Sequence, residues 1–197
     1  MRKINAKWVP QELTPVQLEM RVEYSRVNLR FYKQQTSRLL HTVAVDETWV
    51  SLNRPPEKDQ SKQWVEKGKK PSPVAQSKRY EPKVMMILAM DINGICYYEI
   101  LAQQETVDQE RYLRFLKNLL KHWHGDRKHT IWLLDDNARC HRGASITAWI
   151  EENQIERWLQ PAYSPDLSPC DYGCFHALKR AIGGVAYKDV NSLRNAI

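Results

Sequence analysis

Apolar positions recur at helical spacing near the start of the chain. Val16, Met20, Tyr24, Val27 and Phe31 fall four, four, three and four residues apart, which draws one apolar stripe along a helix. The spacing predicts a helix running to about Leu40. Thr14 can cap it, Pro15 suits its first position, and Gln17 can close a capping box. Over residues 41–52 the pattern turns β-rich, first HTVAV and then TWVSL. Residues 53–82 are polar, with five prolines, a stretch far longer than an ordinary connection and therefore either functional or disordered. Residues 84–90 are an apolar run of strand length, Asn93-Gly94 is a hairpin turn, and residues 95–101 read as the return strand. Residues 108–123 read as a helix with Tyr112, Phe115, Leu116, Leu119 and Leu120 on one face. A short strand at 130–134 ends at Asp135-Asp136. A helix at 144–153, a strand at 155–159, an irregular proline-rich segment at 160–169 and a helix at 171–182 follow, the last stopped by Gly183-Gly184. Hairpin strands followed by alternating helices and strands predict an α/β fold, a mixed sheet with helices on both faces. Trp49, Trp132, Trp149 and Trp158 are expected in its core.

Composition narrows this picture. At 197 residues, 42% hydrophobic and 27% charged, the chain suits one globular α/β domain. No apolar run reaches the roughly 18 residues of a membrane span, and the first residues lack the apolar centre of a secretory signal. The net charge is +7, and its distribution is uneven. Residues 53–83 hold nine basic and four acidic side chains, so most of the excess sits in one segment; this is compatible with a polyanion partner, though many basic proteins bind none and the segment also reads as a solvated loop. The cysteines, Cys96, Cys140, Cys170 and Cys174, match no zinc or redox spacing. Cys170 and Cys174 lie one helical turn apart, but the expectation is four reduced thiols of an intracellular protein.

The carboxylates carry the chemistry. Cutting a phosphodiester with two divalent ions about 3.5–4 Å apart needs acids that converge on one point, and such acids sit at strand ends and helix starts, far apart in sequence. Asp46 follows HTVAV, Asp136 follows TIWLL, and Asp171 opens the last long helix. Each has a plainer reading: a surface acid, an Asx-turn residue and a helix cap. Periodicity does not separate Asp46 from Glu47, Asp135 from Asp136, or Asp171 from Asp166.

At these residues a resemblance enters. Asp46-Glu47-Thr48-Trp49 resembles the first-aspartate motif of mariner transposases. Asp136-Asn137-Ala138-Arg139-Cys140-His141 is similar to their second, and the segment from Tyr163 to Tyr172, YSPDLSPCDY, to their third. Thirty-four residues separate Asp136 from Asp171, the mariner spacing. Trp8-Val9-Pro10-Gln11-Glu12-Leu13 resembles the linker motif of the same family. The resemblance runs from Trp8 to about Tyr187. Gln11 replaces a usual histidine, Cys140 stands where proline is common, and Cys170, Gly173 and Cys174 alter the third motif, but no carboxylate is lost.

The resemblance implies an RNase H-like five-stranded fold and a Mg2+- or Mn2+-dependent DNA nuclease and strand transferase with two ions. It also implies a homodimer on paired transposon ends, working in the nucleus. It selects Asp46, Asp136 and Asp171 as the catalytic, metal-holding triad. It divides the chain into a linker and leading helix, 1–40, and a catalytic domain, 41–197. Within the second, residues 53–82 correspond to a clamp loop that reaches the partner subunit. Lys67, Lys69, Lys70, Lys78 and Arg79 would then meet DNA phosphates, and Trp8, Leu13, Trp64 and Val65 would form the dimer contact. Family members carry end-reading helix-turn-helix modules before the linker, so the expectation is a fragment, a degraded copy or a host gene derived from one. His141 and Asn137 are candidates for orienting Asp136 or for ordinary turn hydrogen bonds. The competing readings are a non-catalytic DNA-binding or dimerisation module derived from a transposase, and a hydrolase of RNA–DNA hybrids.

Overall fold

The computed structural model describes residues 11–53, 62–72, 82–125 and 129–197. Helix α1, Pro15–Gln34, begins with both halves of the expected capping box: the Gln17 amide donates to the Thr14 hydroxyl and the Thr14 amide to the Gln17 side chain. The helix ends six residues short of Leu40. Gln35 is extended, and a 3₁₀ turn at Thr36–His41 leads into the sheet. The early stop has a tertiary cause: Arg38 caps the Phe31 carbonyl at 2.7 Å while its guanidinium lies over the rings of Phe31 and Trp132.

No residue of α1 is buried. Of its predicted apolar face, Tyr24, Val27 and Phe31 are half-buried, whereas Val16 and Met20 are exposed. Polar pairs attach it instead: Asn28 exchanges two hydrogen bonds with the backbone of Leu159, and Arg21 grips Asp166.

Strands β1 (Thr42–Ser51), β2 (Lys83–Asp91) and β3 (Gly94–Ile100) form an antiparallel meander. Gly94, at φ 123°, supplies the turn conformation that side chains avoid. Helix α2 (Gln109–His122) crosses one face of the sheet. Strand β4 (Trp132–Leu134) then runs parallel to β1, and β5 (Glu156–Arg157) parallel to β4. The order is β3-β2-β1-β4-β5, a mixed five-stranded sheet as the pattern predicts. The strand expected over 155–159 shrinks to two residues. Helix α3 (Ala144–Glu152) joins α2, whereas a π-helical turn at Cys170–Cys174, α4 (Phe175–Ala181) and α5 (Val190–Arg194) occupy the other side.

The two-residue period of the strands divides the core into two layers. Val43, Val45, Ile87, Ala89 and Leu133 pack on Tyr112, Phe115 and Ile146 of α2 and α3. Ala44, Val50, Met86 and Leu88 pack on Cys170, Phe175, Ile182 and Leu193. Trp132 and Trp158 are buried and Trp149 is half-buried, but Trp49 is 44% exposed, contrary to expectation. Val50, the next residue of β1, takes the inward position.

Candidate active site

Strand alternation sorts the acids. The β1–β4 ladder pairs Ala44 with Leu134. Two residues on, Asp46 and Asp136 emerge on the α4 side, while Glu47 and Asp135 point to the α2 side. Asp46 and Asp136 line a cleft of about 630 Å³, together with Asp171, Asn137, Tyr163 and Ser168. All three predicted aspartates therefore share one cleft. Among the described residues, however, no group of three His, Cys, Asp or Glu side chains closes into a ready-made cation site.

Their surroundings differ. Asp46 is half-buried; its carboxylate accepts from the Glu47 amide at 2.8 Å and from the Ser168 hydroxyl at 3.0 Å. The Asp171 amide donates to the same Ser168 hydroxyl at 3.3 Å. Burial, and then the neighbouring charge of Asp171, push the Asp46 carboxyl up to about 7. Asp136 moves the other way. Burial opposes its ionisation, but His141, the Ala138 amide and Arg142 outweigh that and hold it below the usual carboxylate range. Its Oδ1 accepts from the Ala138 amide at 2.9 Å and faces His141 Nδ1 at 2.7 Å.

The twin acid Asp135 is buried. It accepts from the Tyr112 hydroxyl at 2.9 Å and meets Arg142 and Arg157 at 3.2 Å each. It ties β4 to α2: although it borders the cleft, its carboxylate is fully buried and committed to these three partners. Asp166 is likewise committed: Arg21 holds both its oxygens, at 3.0 and 2.5 Å, and also the Ser164 hydroxyl at 2.7 Å. Asp135 and Asp166 are thus each committed to arginine partners, and Glu47, which periodicity left beside Asp46, faces His141. Asn137 donates to the Gln160 carbonyl, tying the segment after β4 to the one after β5.

Three residues that lie inside the sequence motifs, but to which no role was assigned, also contribute. Glu47 faces His141 Nε2 at 3.0 Å, Ser168 joins Asp46 to Asp171, and Tyr163 stands exposed at the cleft wall with φ 51°, a strained backbone for a non-glycine residue. Burial disfavours a charged His141, but hydrogen bonds to Asp136 and Glu47 prevail and raise it to about 11.

Of the basic segment, the described residues 62–72 do not line the cleft. Lys67, Lys69 and Lys70 are exposed, Lys69 pairing with Glu66 at 2.7 Å. Gln63 and Ser72 close this loop with two hydrogen bonds. Trp64 is fully exposed, Val65 is 46% exposed and Leu13 is half-buried. Trp8, Lys78 and Arg79 lie outside the described residues. The four cysteines are free; Cys170 is buried and points at the Ala44 carbonyl, and burial pushes its thiol well up. No helix among the described residues is long and apolar enough to cross a membrane.

Hard carboxylate oxygens at a partly open cleft fit Mg2+ or Mn2+. Magnesium takes one or two protein carboxylates and keeps several waters, so a closed protein cage is not required. The proton that Asp46 retains beside Asp171 marks where a cation would relieve repulsion. Asp46, Asp136 and Asp171 are the residues able to hold it.

Known proteins give matching patterns. Residues 41–194 match the family model described as DDE superfamily endonuclease. The mariner Mos1 transposase of Drosophila mauritiana is 31% identical over 195 residues, which cover 95% of this chain and 55% of that protein. The histone-lysine N-methyltransferase SETMAR of Homo sapiens is 29% identical over 196 residues, covering 96% and 28%. The crystal structure of the Mos1 mariner paired end complex with Mn superposes with a TM-score of 0.83 at 31% identity, covering 99% of this chain and 57% of that one. The Mos1 catalytic domain alone superposes at 0.73 and 27% identity, covering 95% and 82%. This chain thus spans about half the length of the Mos1 transposase.

Proposed function

The chain belongs to the DDE superfamily endonuclease family, and on that premise we propose that it is the catalytic domain of a mariner-type transposase, cutting and joining DNA strands at transposon ends. Its fold is the RNase H-like fold of the Mos1 catalytic domain. The observation that carries the proposal is the cleft in which Asp46, Asp136 and Asp171, distant in sequence, line one wall. Bound there, Mg2+ or Mn2+, as two ions, would supply an activated attacking oxygen and charge neutralisation at the leaving oxygen. Ser168 orients the Asp46 carboxylate and accepts from the Asp171 backbone amide, and the Ala138 amide orients Asp136. Tyr163 offers its ring to an unstacked base at the cut.

DNA is the substrate class. Lys67, Lys69 and Lys70, with Lys78 and Arg79, would meet phosphates in a salt-dependent, sequence-independent way. Two of the matching Mos1 structures are paired-end complexes, which supports two copies of this chain acting on two DNA ends, in the nucleus. A tryptophan as exposed as Trp64 supports a contact between its loop and a second copy, with Val65, and with Trp8 and Leu13 of the linker. One observation favours a second reading. SETMAR, whose name is that of a methyltransferase, contains a matching stretch, so a DNA-binding or dimerisation module without cleavage is the alternative.

A nicking assay tests the proposal on duplex, single-stranded and RNA–DNA hybrid substrates. We expect Mn2+-dependent nicking of DNA that Asp46→Asn, Asp136→Asn and Asp171→Asn each abolish. Binding without nicking at any metal concentration would establish the alternative, and preference for the hybrid would overturn both.

A further inference from the structure

The ladder between β1 and β4 stops at Ala44 and Leu134. Beyond that point, where Asp46 and Asp136 sit, no backbone hydrogen bonds of this ladder set the separation of the two strands. A side chain takes over. His141, 0% exposed, lies between them with Nε2 at 3.0 Å from Glu47 Oε1 and Nδ1 at 2.7 Å from Asp136 Oδ1. Glu47 is the immediate neighbour of Asp46, so the ring spans from one candidate metal-holding strand to the other.

The ring itself has little freedom. It stacks on Tyr112 at 4.0 Å between centroids, and Tyr112 is in turn fixed through its hydroxyl to Asp135. The His141 amide donates to the Ala138 carbonyl, and its own carbonyl accepts from Arg157 at 2.8 Å. Nε2 is hydrogen-bonded to Glu47, whereas Nδ1 meets Asp136 Oδ1 as an ion-pair contact outside hydrogen-bond geometry; carboxylates only accept, so an N–H on each nitrogen suits both contacts. With the Ala138 amide also on Oδ1, both nearby N–H groups face the same oxygen of Asp136. That leaves Oδ2 as the oxygen for a cation.

We propose that His141 is a positioning residue: bridging Glu47 and Asp136, it fixes the orientation of the Asp136 carboxylate and its distance from Asp46, so that a divalent cation meets a preformed pair of oxygens. This rests on the metal-holding role proposed for Asp136. A histidine buried only for stability would make the same contacts but would not govern cation affinity in the folded molecule. Partners that orient metal ligands typically change affinity by about 10–100-fold when removed.

Two replacements of His141 separate these roles. In His141→Asn the amide nitrogen takes roughly the place of Nδ1 and keeps the donor to Asp136. In His141→Gln it takes the place of Nε2 and keeps the donor to Glu47. Mn2+ dissociation constants, measured by electron paramagnetic resonance on the full chain below each variant's melting temperature, give the readout. We expect the glutamine variant to bind about 10–100-fold more weakly than wild type and the asparagine variant to recover most of that loss. Equal losses in the two, or wild-type affinity in the glutamine variant, overturn the proposal.

Wild type tested without substitution covers the case of unfolded variants. In 15N-histidine protein, saturating Mg2+ should shift the slowly exchanging Nδ1–H resonance of the buried ring more than its Nε2–H. Unmoved resonances overturn the proposal. Asp136→Asn is the control: undiminished Mn2+ affinity there removes the metal-holding reading itself, whereas lost affinity there with intact glutamine-variant affinity removes only the role of His141.

Discussion

Two adjacent aspartates should respond to the same substitution in opposite ways. Asp135→Asn puts an amide where a fully buried carboxylate now meets the Tyr112 hydroxyl and the guanidiniums of Arg142 and Arg157. The new N–H group opposes other donors, and two cations lose their counter-charge. Removing one partner from a buried pair costs about 3–5 kcal/mol. The Arg142 and Arg157 side chains are 31% and 18% exposed, so water softens the loss and the lower figure, about 3 kcal/mol, applies. For a domain of this size that is roughly a 6–12 °C fall in melting temperature. Asp136→Asn keeps an oxygen for Ala138 and His141 but loses the charge opposite the buried ring; its side chain is 55% exposed, so water screens the loss, and we expect about 1–2 kcal/mol, less than for Asp135→Asn. Function inverts the order, because Asp136→Asn should abolish the rise in melting temperature on adding Mn2+, which Asp135→Asn should retain. Urea denaturation and calorimetry with and without Mn2+ measure all four quantities. If Asp136→Asn is the more destabilised of the two, the assignment of inner and outer aspartate is wrong.

The metal-free protein should lose stability as pH rises from about 5 to 8. The Asp46 carboxyl titrates near 7 when folded against about 3.9 unfolded, so its contribution is complete at low pH and disappears through the folded value. Asp46→Asn should flatten that slope in calorimetry, and Mn2+ should stabilise wild type more at pH 8 than at pH 5; a slope unchanged by the substitution refutes the linkage. Triple replacement of Lys67, Lys69 and Lys70 by alanine should weaken duplex binding without changing sequence preference, and reduce the slope of log affinity against log salt by up to about 3; fluorescence anisotropy across a salt series checks this. Deleting residues 54–78 should prevent dimerisation on duplex DNA in sedimentation, and dimers that persist would reduce the loop to a solvated insertion. Tyr112→Phe should cost about 1 kcal/mol in urea denaturation through its lost bond to Asp135, and an unchanged midpoint would show that bond to be dispensable.

Local chemistry made much of this protein legible from its residues. The Thr14-Pro15-Val16-Gln17 start, the Asn93-Gly94 hairpin and the amphipathic stripe of α2 act within a few residues of themselves, and all three stand in the structure. The acids at strand ends, with their ordered motifs, pointed to the cleft residues. The undecided matters depended on contacts between distant segments. The Asp136 carboxylate is exposed and that of Asp135 buried because β4 pairs with β1 in one register, and a shift of a single residue would exchange them. Asp166 is set aside by Arg21, 145 positions away. Ser168 reaches Asp46 across 122 positions and Glu47 reaches His141 across 94. The end of α1 follows Arg38 onto Trp132 rather than any helix-breaking residue. A period in the chain tells which side chains share a face; only the folded sheet decides which face meets which helix, because strand register and side-chain pairing are non-local and leave no mark at either partner alone.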